Sequence, residues 1–148
     1  IEQSILSEDG KWLKFDAETI VEKQLNGKIL TENWKGKVQF FWANMEKPRI
    51  IQGYSLRYFD EDSGEWKIFW MDDLNPGLSQ PFKGNFIDKN QGIFYKISEE
   101  FSRKIIFTII NENRILWELF ISADRENWRK LWVMEMQRNP NPKKNNFD

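Results

Sequence analysis

The chain has 148 residues, with 22 Lys and Arg against 23 Asp and Glu, so it carries one domain's worth of core and no excess of charge that would draw it to nucleic acid or an anionic membrane. Cysteine and histidine are both absent, which excludes disulfides, thiolate nucleophiles, Cys/His zinc sites, histidine-ligated haem and a Ser-His-Asp triad. No apolar run reaches the length of a transmembrane helix, so a soluble protein is expected. A chain without thiols fits reducing and oxidising compartments alike, and the cytoplasm is the default. The opening Ile1 in place of a methionine leads us to expect an upstream segment.

Helical periodicity is nearly absent, while apolar and polar residues alternate in segment after segment, each bounded by Gly, Asn, Asp or Pro. In chain order the first candidate strands are KWLKFD (11–16) and TIVEKQL (19–25). An Asn26-Gly27 turn leads to KILTENW (28–34), followed by KVQFFWA (37–43). A hairpin comes next: YSLRYF, the loop DEDSG with Asp60, Asp62 and Gly64, and EWKIFWMD, which sets Trp66, Ile68 and Trp70 on one face. Pro76, Gly77 and Pro81 mark an irregular loop before PFKGNFID and GIFYKIS. RKIIFTII, RILWELFIS and WRKLWVMEMQR then form a meander of three strands. On the last of these, Trp128, Lys130, Trp132, Met134, Met136 and Arg138 share one side, and all but Lys130 are expected to point inward. NPNPKKNNFD, from Asn139, reads as a disordered tail. About nine or ten strands follow, a number at which an antiparallel sheet closes or splits in two. The expected fold class is therefore all-β, with one barrel domain over 1–138 and a tail over 139–148.

Four stretches carry a family resemblance: LNGKILTENW, GYSLRYFDEDSGEWKIFW with its following MDD, PFKGNFIDKNQGIFY, and WELFISADRENWRKLWVMEMQR. In this order and spacing, over about residues 25 to 138, the chain resembles a lipocalin-like family of unknown function among the calycin barrels. The resemblance implies an up-and-down antiparallel barrel with an internal cavity, and little about chemistry. Two departures stand out. The family's glycine-rich turn before the last strand is here Arg125-Glu126-Asn127, and its opening strand would lie before Ile1 or be missing.

Eight tryptophans invite a ligand pocket lined by Trp42, Trp66, Trp70, Trp117 and Trp132. The competing reading is that the rings simply build the core. Charged residues alternating onto an interior say more, since a buried charge needs a partner or a ligand. Glu32, Arg57, Glu118 and Arg138 are the candidates. Parity leaves the facing of Arg57 and Glu118 open, because both sets of their neighbours are apolar; exterior ion pairs are the alternative.

Asp60, Asp62, Asp72 and Asp73 lack the spacing of a calcium loop and read as turn formers. Neither a metal nor a cofactor is expected. Lys143 and Lys144 are too short a basic run for nucleic acid. The leading reading is a carrier or sensor of a small hydrophobic or amphipathic molecule, contacted by Trp66, Trp70, Trp132, Met134 and Arg57 or Arg138. An alternative is a metal-independent lyase or isomerase, with Glu118 or Glu32 as base and Tyr54, Tyr58 or Tyr95 as oxyanion donor. A third is a structural or interaction barrel that docks a partner on an outer patch of Leu131, Val133 and Ile106.

Overall fold

A computed structural model describes residues 1–140. The described residues form ten strands: β1 (Glu2–Leu6), β2 (Trp12–Gln24), β3 (Ile29–Val38), β4 (Arg49–Asp60), β5 (Glu65–Asp72), β6 (Phe82–Phe86), β7 (Gln91–Lys96), β8 (Ser102–Asn111), β9 (Arg114–Ser122) and β10 (Arg129–Gln137). Each strand pairs antiparallel with the next, and β1 pairs with β10, so the meander closes into a barrel. Among the described residues closure leaves no free sheet edge, the feature that makes an open sheet prone to intermolecular pairing. The tail expected from Asn139 lies, from position 141, outside the described residues.

Differences from the sequence reading are local. The two runs before Asn26 are one strand, β2, because nothing between Trp12 and Gln24 is a Gly or Pro that would break the alternation. Gly36 likewise does not end β3; the Trp34 ring lies over the space its missing side chain leaves. Phe41–Ala43, expected at the end of a strand, form a 3-10 turn that Asn44 closes in the left-handed region with φ 52°. Glu2–Leu6, not among the strands expected from the sequence, form β1. In the β2–β3 turn, Leu25, Asn26 and Gly27 all take positive φ, the geometry that made Asn-Gly a turn signal.

Alternation along the strands divides lumen from exterior. Gln3 and Ile5 on β1, Glu32, Trp34 and Val38 on β3, Ile51 and Ser55 on β4, Ile68 on β5, Phe94 on β7, Ile105 on β8, and Trp132 and Met134 on β10 are all buried. They form two walls. Ile5, Trp34, Val38, Phe40, Ile51, Trp132 and Met134 make one, and Ile68, Phe82, Phe94 and Ile105 the other. Trp117 and Leu119 of β9 pack against both.

The phase of β10 changes at a bulge between Lys130 and Trp132. Below it Trp132, Met134 and Met136 face the lumen, and Lys130 faces outward, all as expected; the extra residue, Leu131, also puts Trp128, in phase with Lys130, on the outside. Trp128 therefore lies on the outer face beside Tyr95, its ring centroid 5.9 Å from that of the tyrosine and 4.5 Å from Lys104 Nζ. The outer patch expected at Leu131, Val133 and Ile106 does not form an exposed apolar surface: Leu131 is buried, and the other two are half-buried.

Candidate functional site

The two walls do not meet everywhere. A cavity of about 700 Å³ lies between them, within the range of small-molecule sites. Trp34, Trp70, Trp117, Trp132, Met134 and Met136 line its body. Phe40, Trp42, the 73–81 loop, Lys96 and Arg103 line it toward one end of the barrel. A second groove, of about 720 Å³, lies between the β1–β2 and β3–β4 loops. Polar loop residues such as Ser7, Asp9, Gln39 and Glu46 line much of it, and the interior cavity with its aromatic wall is the candidate site.

The indoles are held by each other and by short polar links. Trp34 meets Trp70 and Trp132 edge-on, with centroids 6.0 Å and 5.6 Å apart, and Trp117 meets Trp132 at 5.2 Å; edge-to-face contact suits the aromatic quadrupoles. Trp132 Nε1 donates to Gln3 Oε1 at 2.8 Å, and Gln3 Nε2 donates to the Lys37 carbonyl at 2.9 Å. Trp70 Nε1 donates to Asp72 Oδ2 at 3.0 Å, while Asp72 Oδ1 accepts from the backbone N–H of Leu74 and Asn75. One carboxylate thus fixes both a wall indole and the start of the loop at the rim. Trp34 Nε1 is buried without a hydrogen-bond partner among the described residues.

Glycines make room for these rings. A Cβ at Gly53 would stand 2.2 Å from the Trp70 ring, and one at Gly36 would stand 2.5 Å from that of Trp34. Because Gly53 pairs with Trp34 across β3 and β4, the two indoles share one glycine-floored stretch of the wall.

Glu32 also lines the cavity and is 6 % exposed. Its Oε1 accepts from Thr19 Oγ1 at 2.8 Å, and its Oε2 accepts from Ser55 Oγ at 3.1 Å and from the Arg57 guanidinium. Arg57 Nε donates to Ser55 Oγ at 3.0 Å. Burial pushes the Arg57 guanidinium down to about 10, which still leaves it cationic at neutral pH, and it stands 5.3 Å from the Phe107 ring centroid. Glu32 and Arg57 are therefore a closed, mutually neutralised pair.

Lys96 and Arg103 stand opposite each other on β7 and β8. Both line the cavity and are half-buried. Lys96 Nζ donates to Ser79 Oγ at 2.9 Å, and neither side chain forms an ion pair among the described residues.

Of the expected contacts, Trp70, Trp132 and Met134 line the cavity together, as do Trp42 and Trp117. Trp66 lies at the far end of β5, against the cluster of Ile68, Phe82, Phe94 and Ile105 rather than on the cavity. Arg57 is inside the barrel but is held by Glu32. Arg138 lies beyond β10, exposed, its backbone N–H donating to the Asn113 carbonyl; it has no place on the cavity because the inward phase of β10 ends with the strand. Glu118 points outward, paired with Lys130, since its neighbour Trp117 holds the inward position. Tyr58 is on the outer face, stacked on Phe69, and Tyr54 shares its phase. Tyr95 is exposed.

Trp34, Lys96 and Arg103 were not singled out from the sequence. The signal was present for the last two: Lys96 is in phase with Phe94 and Arg103 with Ile105, and both apolar residues are buried. No family model matches the chain, and no curated protein matches it.

Proposed function

We propose that this protein binds a small hydrophobic or amphipathic molecule inside its barrel, as the resemblance to lipocalin-like proteins implies. The observation that carries this reading is the cavity itself: about 700 Å³ walled by Trp34, Trp70, Trp117 and Trp132. A closed up-and-down meander around such a space is the architecture of barrels that hold one ligand. Indole rings and the polarisable thioethers of Met134 and Met136 are suited to flat or apolar surfaces.

The lyase reading keeps one supporting observation, an interior carboxylate bonded to an arginine. Against it, Glu32 already accepts three hydrogen bonds, and the tyrosines named as oxyanion donors are on the outside. A base committed to its own arginine is poorly placed to take a substrate proton.

Titration with N-phenylnaphthylamine tests the binding reading, with native mass spectrometry of protein taken from its own host alongside. We expect a saturable rise in probe fluorescence with quenching of the tryptophans, loss of both when Met134→Trp fills the cavity, and a stoichiometric adduct by mass. A probe that neither binds nor quenches, together with a clean apo mass, would overturn the reading.

A further inference from the structure

Inside a barrel, a cation that faces the lumen loses hydration and must find a counter-charge. Arg57 has one in Glu32. Lys96 and Arg103 do not: they stand directly opposite each other across β7 and β8, and like charges in that position repel. The Lys96 ammonium is held below its ordinary range, first by burial and then by the charge of Arg103. Two carboxylates reach the cavity, but Glu32 is neutralised by Arg57, and Asp72 is committed to Trp70 and to the backbone N–H of Leu74 and Asn75. What remains beside the aromatic wall is an uncompensated pair of cations, one a compact ammonium and one a planar fork suited to an oxyanion.

Resting on the cavity reading above, we infer that Lys96 and Arg103 receive the anionic group of the bound molecule. The ligand class is then a small organic anion, with an apolar or aromatic body against Trp34, Trp70 and Trp132 and a carboxylate or comparable oxyanion between the two cations. This moves the cationic contact expected at Arg57 or Arg138 to strands β7 and β8.

Anilinonaphthalene sulfonate and N-phenylnaphthylamine share one aromatic body and differ by the sulfonate, so together they separate the charge from the cavity. Both are titrated against the wild type and against Lys96→Met and Arg103→Met, with competition between the probes reporting a shared site and circular dichroism reporting the fold. We expect the sulfonate to bind about tenfold more weakly to each Met variant, while the neutral probe changes less than about twofold. Should a Met variant fail to fold, Lys96→Arg keeps the charge and is expected to bind the sulfonate as the wild type does. In the wild type, raising salt from about 0.05 to about 0.5 M should weaken the sulfonate alone. Equal weakening of both probes, or a sulfonate affinity indifferent to both Met variants and to salt, would overturn the anion site and leave the cavity reading standing. If neither probe binds the wild type, the cavity reading fails and takes this inference with it.

Discussion

Gly53 faces the lumen where the Trp70 ring crosses β4, and a methyl group there would stand 2.2 Å from the ring, far inside van der Waals contact. Alanine at this position must displace an indole anchored to Asp72. Overpacking of this kind costs about 1–3 kcal/mol. Gly53→Ala should lower the urea midpoint accordingly and reduce the near-ultraviolet dichroism of the tryptophan cluster; an unchanged midpoint would show that the ring gives way freely. A second residue-scale expectation concerns Glu32 and Arg57, whose side chains are 7 % and 18 % exposed. Removing one partner of a buried pair strands the other and costs about 3–5 kcal/mol, whereas replacing both by apolar residues is often close to neutral. Glu32→Leu alone should therefore be strongly destabilising, and Glu32→Leu with Arg57→Met should recover most of the loss in a double-mutant cycle. Both charges were candidates in the sequence, although parity left the facing of Arg57 open. Their union was not legible there, because the partners are 25 positions apart and only the β3–β4 register brings them together.

At the scale of the element, a hydrogen-bonded carboxylate organises the turn of the β9–β10 hairpin. Asp124 accepts from the Asn127 side chain and backbone, the Glu126 backbone and the Ser122 hydroxyl. Arg125 takes φ 65° without being a glycine, its N–H donating to Ser122 Oγ at 2.9 Å. The hydrogen bonds to Asn127 and Glu126 hold the Asp124 carboxyl well below its ordinary value of 3.8. A carboxylate with a depressed folded pKa contributes stability that is complete above the unfolded value and is lost as pH falls toward the folded one. Asp9, lowered to about 2 by Lys11 and Ser7, acts in the same direction over the span from about 4 to about 2. The melting temperature should thus fall on acidification below about pH 4, and Asp124→Asn should flatten part of that slope while leaving the part due to Asp9. An identical slope in the variant would show that the turn carries none of the acid sensitivity.

For the molecule as a whole, closure rests on a short strand. β1 spans Glu2–Leu6 and is hydrogen-bonded to β2 on one side and β10 on the other. It also supplies Ile5, which is fully buried, and Gln3, which satisfies the Trp132 indole N–H. Deleting β1 would expose the edges of both β2 and β10, and unpaired edges recruit other chains. The truncated protein should elute as larger species and melt at a lower temperature than the full chain. A monomer of unchanged stability would mean that β2 and β10 pair with each other without it.

Alternation of apolar and polar residues is a local property, and with Asn-Gly, Asp-rich and Pro/Gly punctuation it determined most of the strands, their order and their all-β class. It also marked Trp70, Trp132 and Met134 as inward residues. Facing at an irregularity is not local: the bulge at Leu131 shifts the phase of β10 by one residue, so Lys130 and Trp128 lie outside while Trp132 lies inside. Nor is partnership, since the hydrogen bond from Trp132 to Gln3 spans 129 positions, and Lys96 meets Arg103 only through the β7–β8 register. Sequence periodicity determined that this chain makes strands with one wet and one apolar face. Which faces close on one another, which charges neutralise and which remain beside the cavity were decided by the tertiary structure, because these depend on pairing registers that no single segment encodes.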